Sequence, residues 1–140
     1  IEKGVLKSWI LDLRSARQLN LNSTGNASRG TSSPPSPATT NLYMQPGTLS
    51  PAELMSDIKS GLYITGLMGQ GANLITGDYS RGAEGFWIDN GEISGAVSEL
   101  TIAGNLNEMF KALVAADDLQ FRFGIDSPTI RIDGITIAGK

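Results

Sequence analysis

Apolar positions along the chain come in short bursts separated by glycine-rich and polar breaks, which is the pattern of a strand-dominated fold. The first ten residues, IEKGVLKSWI, read as a strand entered mid-fold, and Val5 to Leu13 (VLKSWILDL) has the β-branched and aromatic content of one. Arg14 to Leu19 predicts a short helical turn. From Leu21 to Thr40 the composition shifts to Ser, Thr, Asn and Gly, with Pro34, Pro35 and Pro37, and predicts a loop or mobile segment. So long a stretch without regular structure is either a functional loop or a floppy surface connection.

Ser50-Pro51-Ala52-Glu53 predicts a helix start: Ser50 caps, Pro51 suits the first helical position, and Glu53 closes a capping box. Leu54 and Ile58 would share its inner face, and Gly61 would cap its end. Leu62–Met68 and Asn73–Thr76 read as strands. Asn90-Gly91, between Gly85–Ile88 and Glu92–Val97, predicts a hairpin with a type I′ turn, which needs positive φ at both central residues. Asn105, with Glu108 three residues on, starts a second helix. Leu106, Met109, Phe110, Leu113 and Val114 recur at helical spacing and predict one stripe laid on a core. Leu119–Phe123, Thr129–Ile132 and Ile135–Ala138 close the chain as strands, with a turn or bulge at Asp133-Gly134. No βαβ rhythm appears. The expected fold is α+β, a mostly antiparallel, curved or barrel-like sheet with two helices, in a single domain over residues 1–140. Glycines at 66, 69, 71, 77, 82 and 85 suit bends at the corners of such a sheet.

Composition narrows the function. With 11 basic and 14 acidic residues the net charge is −3, and the cations are scattered rather than clustered. Nucleic acid is therefore not an expected partner. No apolar stretch approaches the roughly 18 residues of a membrane span, so no membrane association is expected. The chain begins at Ile1 and not Met, as a fragment or processed form would, and its start lacks the features of a signal peptide. There is no His and no Cys. Zinc sites draw mainly on those two residues, which argues against a zinc site made by this chain alone. A Ser-His-Asp or Cys-His nucleophile is likewise out of reach. No disulfide can form, which fits a cytoplasmic location.

The candidate chemistry sits in the glycine-dense run between Leu67 and Ile93. Gly69-Gln70-Gly71 invites comparison with a phosphate-binding loop, but neither GxGxxG nor a Gly-Lys-Ser/Thr ending follows, and a structural turn is the better reading. Asp78, Tyr79 and Arg81 combine a carboxylate, a phenol and a guanidinium that could hold a peptide terminus or a partner's backbone. The alternative is an Asx-type turn with Arg81 capping carbonyls or pairing with Asp78. Phe86 and Trp87, being adjacent on a strand, point to opposite faces, one toward a core and one as an interface anchor. Gln70, Asn73, Asp78, Tyr79, Arg81 and Trp87 form the candidate partner or peptide contact. The acidic residues Asp89, Glu92, Glu99, Asp117, Asp118, Asp126 and Asp133 lack the spacing of a calcium loop.

Several stretches, in order, resemble the C-terminal part of the TldD/PmbA family: Ser23–Ala27, Asn41–Gly47, Gly69–Gly71, Thr76–Gly82, Gly85–Ile88, Asn90–Ile93, Thr101–Leu106 and Gly134–Lys140. That family is known as modulators of DNA gyrase and as a zinc metalloprotease pair. In it, the proteolytic TldD subunit carries His-Glu-x-x-x-His upstream of this region and a metal-ligating Cys in a glycine-rich loop near the end. The matching place here, Phe123-Gly124-Ile125-Asp126, is short and has no Cys. That loop and the Gly85-Phe86-Trp87-Ile88 wording are similar to the PmbA (TldE) branch. The resemblance implies no catalytic, cofactor-binding or metal-ligating residue in this chain, and zinc only in a TldD-like metalloprotease partner. It also implies a peptide or unfolded-protein substrate in cytoplasmic processing, such as microcin maturation or antitoxin degradation, and allows a homo-oligomer. Two other readings stand beside it: a protein-binding module acting on DNA gyrase or another target, and a self-sufficient metallopeptidase whose motif lies upstream of Ile1.

Overall fold

The computed structural model describes residues 1, 2 and 5–139, so the part of the opening-strand expectation on Lys3 and Gly4, and the closing Lys140, lie outside the described residues. In chain order the elements are α1 (Leu13–Leu19), β1 (Ala27–Ser28), β2 (Ser36–Pro37), β3 (Leu42–Tyr43), α2 (Pro51–Met55), β4 (Ser60–Met68), β5 (Asp78–Asp89), β6 (Glu92–Asn105), α3 (Leu106–Ala112), β7 (Leu113–Ala115), β8 (Ile125–Asp126), β9 (Ile130–Ile132) and β10 (Thr136–Ala138). They form two compact units, one of residues 1–43 and 121–126, the other of 44–120 and 127–140. The class is α+β, and among the described residues every ladder is antiparallel except β3 with β8. Among the described residues the helices number three, because residues 13–19 form a full helix and not a single turn.

In the smaller unit the expected strand over Val5–Leu13 does not form. A strand needs a neighbour to take its backbone hydrogen bonds, and among the described residues Val5 makes only an isolated bridge with Glu2. Leu6, Trp9 and Ile10 stay exposed, while Leu11 and Asp12 are buried. Asp12 instead caps α1 by accepting from the Ser15 N–H at 2.7 Å, which also holds its carboxyl below the ordinary value. Asn20 closes the helix in the left-handed region at φ 54°, where Asn is tolerated. Thr24 straps the segment down: its Oγ1 accepts from the Leu11 N–H at 2.8 Å and donates to the Leu11 carbonyl at 3.1 Å. Within residues 21–40, Ala27–Ser28 pairs with Ser36–Pro37, and the rest is loop.

In the larger unit, Ser50 and Glu53 exchange the two hydrogen bonds of a capping box and bury Leu54. The helix stops at Met55 with Ser56 as its cap, so Gly61 is not the cap but a residue of β4. The open sheet has the order β10-β6-β5-β4. At the β5–β6 turn both Asn90 (φ 48°) and Gly91 (φ 83°) take positive φ, as a type I′ hairpin requires. The turn docks on the segment after α2, with the Gly91 N–H donating to Ile58 at 2.8 Å and the Asn90 N–H to Lys59 at 3.0 Å.

Both partners of β5 carry extra residues. The register slips on β4 between Ile64 and Gly66, and on β6 opposite Ala83–Gly85 and Phe86–Ile88. Two residues facing one make a bulge, which sharpens the twist. The sheet is therefore curved without closing into a barrel. Its buried apolar residues are Ala83, Ile88, Leu100 and Ile102, and Leu54 of α2 and Ala116 are buried in the same unit.

Three expectations fail downstream. Asn73–Thr76 is a turn and not a strand. The helix at Asn105 ends at Ala112, because Leu113–Ala115 pairs with Ile130–Ile132 in β7–β9. Ladder pairing over those three residues outweighs helical spacing, no α3 residue is buried, and Phe110 is 68% exposed. Residues 119–123 make no strand either: Asp126 takes up the N–H groups of Arg122, Phe123 and Gly124.

Candidate functional site

The β4–β5 connection is built from its polar side chains outward. Asn73 Oδ1 accepts from the N–H of Ile75 at 2.9 Å and of Thr76 at 3.3 Å, an Asx turn. The Asn73 N–H donates to the Asp78 carbonyl, and the Gly77 N–H to the Asn73 carbonyl, both at 2.8 Å. Thr76 Oγ1 donates to the Asp78 carboxylate at 2.7 Å. The start of α3 locks the far side: Asn105 Nδ2 donates to the Thr76 carbonyl at 3.1 Å and the Leu106 N–H to the Gly77 carbonyl at 2.7 Å. Gly77 sits at φ 81°, where a side chain would be strained. Gly71 is glycine for another reason: a Cβ there would collide with the Ser80 carbonyl.

This geometry separates the candidate residues. Asn73 and Asp78 are committed inside the turn. Gln70 lies exposed between Gly69 and Gly71, in a structural turn whose Gly71 carbonyl accepts from Ser80 at 2.7 Å. Tyr79 and Arg81 share one face of β5, both half-buried. Arg81 Nη2 donates to the Leu67 carbonyl at 3.2 Å, so this residue caps a carbonyl instead of pairing with Asp78, and its buried Nε has no hydrogen-bond partner. Trp87 stands six residues beyond Arg81, roughly 20 Å along the strand, and is not part of the same cluster. Phe86 and Trp87 are each 36% exposed, so neither is the buried core residue expected of the pair.

Sequence reasoning missed the charged hub of the larger unit. Arg131 donates to Asp133 at 2.9 Å, to the Asp57 carboxylate, and to the Leu54 carbonyl at 2.8 Å, tying β9 to α2. These partners raise the Arg131 pKa and, through the Arg131 hydrogen bond, lower that of Asp57. The Arg131-x-Asp133 spacing on a strand was the available signal, since residues i and i+2 share a face. Beside it a cleft of about 390 Å³ is lined by Asn105, Glu108, Met109, Lys111 and Asp133, among others. Its charges are internally matched, Glu108 with Lys111 at 2.8 Å and Asp133 with Arg131.

In the smaller unit, Tyr43 and Phe121 meet edge to face at 5.2 Å. Their loop is the place where the resemblance puts a metal-ligating Cys in the proteolytic subunit. Here Asp126 fills it, accepting from three successive backbone N–H groups. A metal ion does not fit the residues present: among the described residues no three carboxylates gather within reach of one, and the sequence offers no His or Cys. No helix of the described residues is long and apolar enough to cross a membrane.

Comparison with known proteins agrees with the geometry. The family described as PmbA/TldA metallopeptidase C-terminal domain matches residues 1–139. Metalloprotease PmbA of Escherichia coli O157:H7 is 41% identical over 100% of this chain and 29% of its own length. A PmbA homolog of Buchnera aphidicola is 43% identical over 99% of this chain and 30% of its length. A TldD homolog from the same genus reaches 28% identity over 99% of this chain and 32% of its length. Among solved structures, TldE of Thermococcus kodakarensis superposes with TM-score 0.87 at 26% identity, covering 99% of this chain and 33% of that one. A Thermotoga maritima protein named for modulation of a DNA gyrase gives TM-score 0.84 at 32% identity, covering 99% and 32%. The chain thus spans about a third of the length of the relatives it matches. By its matched length and by its fold, this chain belongs to the PmbA/TldD metallopeptidase family, as a C-terminal domain of the PmbA/TldE kind.

Proposed function

We propose that residues 1–140 act as one domain of a non-catalytic PmbA/TldE-type subunit, which with a TldD-type zinc subunit forms a protease for peptides or unfolded proteins in the cytoplasm. One observation carries this reading: a domain matching a metallopeptidase family over residues 1–139 contains neither His nor Cys, the residues from which zinc sites are mainly built. The higher identity to PmbA (41%) than to a TldD homolog (28%) supports the same branch. In this reading the strip bearing Gln70, Tyr79 and Arg81 meets the extended substrate. Asn73 and Asp78 hold that strip in place, and Trp87 makes a separate partner contact. The domain shapes the substrate path, and the zinc chemistry belongs to the partner.

The test is zinc content and peptidase activity of the full-length parent, alone and mixed with a TldD-type protein. Activity and zinc are expected only with the partner present. Stoichiometric zinc and activity in the parent alone would overturn the proposal. A second reading, a binding module for DNA gyrase, draws on the name of the Thermotoga relative. Direct pull-down of gyrase without a TldD-type protein would favour it.

A further inference from the structure

Asn90-Gly91 is the pair that the β5–β6 hairpin requires, and it is also the pair in this chain most open to a spontaneous covalent change. A type I′ turn needs positive φ at both positions, met here at 48° and 83°. Gly91 is fixed further by a close approach, because a Cβ there would stand 2.7 Å from the Ser56 carbonyl oxygen. With no side chain on Gly91, its amide nitrogen is unshielded toward the side chain of the preceding asparagine. That nitrogen, on losing its proton, attacks Asn90 Cγ: the N–Cγ bond forms, the Cγ–Nδ2 bond breaks, and ammonia leaves with the proton. Water then opens the succinimide ring at one carbonyl or the other, giving aspartate or isoaspartate.

The fold holds both reacting groups back. The attacking group, the Gly91 N–H, donates to the Ile58 carbonyl at 2.8 Å and so keeps its proton, while the Asn90 N–H donates to the Lys59 carbonyl at 3.0 Å. The leaving group, Asn90 Nδ2, donates to the Asp89 carboxylate at 2.9 Å. The seat itself hangs on α2: the Ile58 N–H donates to the Met55 carbonyl at 2.9 Å, and the helix is held by the Ser50–Glu53 capping box. Neither product returns to this seat. Isoaspartate lengthens the backbone of a two-residue turn, and aspartate sets a second carboxylate against Asp89.

We propose that Asn90 is a site of deamidation gated by the seat of its turn on residues 58 and 59, so that opening of the seat leaves an irreversible mark on the chain. The experiment incubates the full-length parent at neutral pH for weeks, folded and in unfolding urea, and follows residues 82–111, the tryptic peptide ending at Lys111, by mass spectrometry that separates aspartate from isoaspartate. Asn105 and Asn107, followed by Leu106 and Glu108 in the same peptide, are internal controls and should stay unchanged. With two backbone hydrogen bonds to break, the folded wild type should react about 10-fold or more slowly than the unfolded chain. Ser50→Ala/Glu53→Ala, which uncaps α2, should speed the reaction in the folded protein about 5-fold, with thermal melting recorded alongside to show that it is folded. Equal rates in the folded and unfolded wild type would overturn the gate without need of any variant. No change at Asn90 in urea would overturn the site itself. A slow wild type whose rate the uncapped variant leaves unaltered would assign the protection to another surface, and would overturn the proposal as well.

Discussion

Backbone polar groups find partners by two different routes in the two units of this chain. In the larger one, β5 runs from Asp78 to Asp89 with a strand on each side, so its amides and carbonyls are consumed by ladders. In the smaller one, among the described residues, no ladder exceeds two residue pairs. There, side chains do the holding: Asp12 on Ser15, Thr24 on Leu11, and Asp126 on the loop at 122–124. Ser, Thr, Asn and Asp compete with regular structure by bonding nearby backbone. A segment rich in them, and interrupted by proline, takes this second route. The comparison teaches that a ladder spreads the cost of any one lesion, whereas a strap concentrates it in a single residue.

The largest effect should come from breaking the ladder sterically. Gly85→Ala would drive a Cβ into the Tyr63 carbonyl of the neighbouring strand and is expected to cost about 3 kcal/mol. Gly95→Ala, in open space on β6, should stay within about 0.5 kcal/mol. Urea midpoints of the two variants check the pair, and equal midpoints would show that strand spacing is not tight at Gly85. Next comes the hub: Arg131→Met leaves the Leu54 carbonyl and two carboxylates without their donor and should cost about 2 kcal/mol. Its unfolding should remain cooperative, since the larger unit keeps its ladders.

In the smaller unit, Thr24→Val removes both side-chain bonds to Leu11, leaving the backbone bond from the Thr24 N–H, and should cost about 1 kcal/mol. Hydrogen exchange should speed up at Leu11 and through α1 but not in β5. Faster exchange across the sheet would erase the distinction between strap and ladder.

The smallest effect is the pH dependence. Asp12, Asp57 and Asp118, with an ordinary value of 3.8, and Glu53, with 4.5, all sit lower in the folded protein. The leading causes are bonds from Ser15, Arg131, Thr129 and Ser50 respectively. A depressed native pKa gives stability that is fully present above the unfolded value and lost as pH falls through the native one. Stability should therefore be level above about pH 5 and decline below about pH 4. Asp118→Asn should flatten that decline slightly, as followed by thermal melts across the range.

The elements that were legible in the sequence are those whose determinants are local. Ser50, Pro51 and Glu53 specify the start of α2 within four residues, and Asn90-Gly91 specifies its hairpin because positive φ at two successive positions excludes most other pairs. The absence of His and Cys also limited the chemistry before any coordinate was known. The candidate site was legible only as a neighbourhood: the glycines between 69 and 85 marked a turn, but nothing in their spacing said that Asn73 and Asp78 would be spent inside it.

Tertiary structure decided the rest, because pairing partners far along the chain compete with local preference. Leu113–Ala115 carries helical spacing yet joins β9, since Ile130–Ile132 offers a ladder that α3 could not extend. Val5–Leu13 carries strand composition, yet among the described residues no strand pairs with it. Arg131 reaches back to Asp57 and Leu54, a closure over more than 70 residues that no local pattern announces. Local propensities set where turns and caps fall, and long-range hydrogen bonds decide which segments become strands.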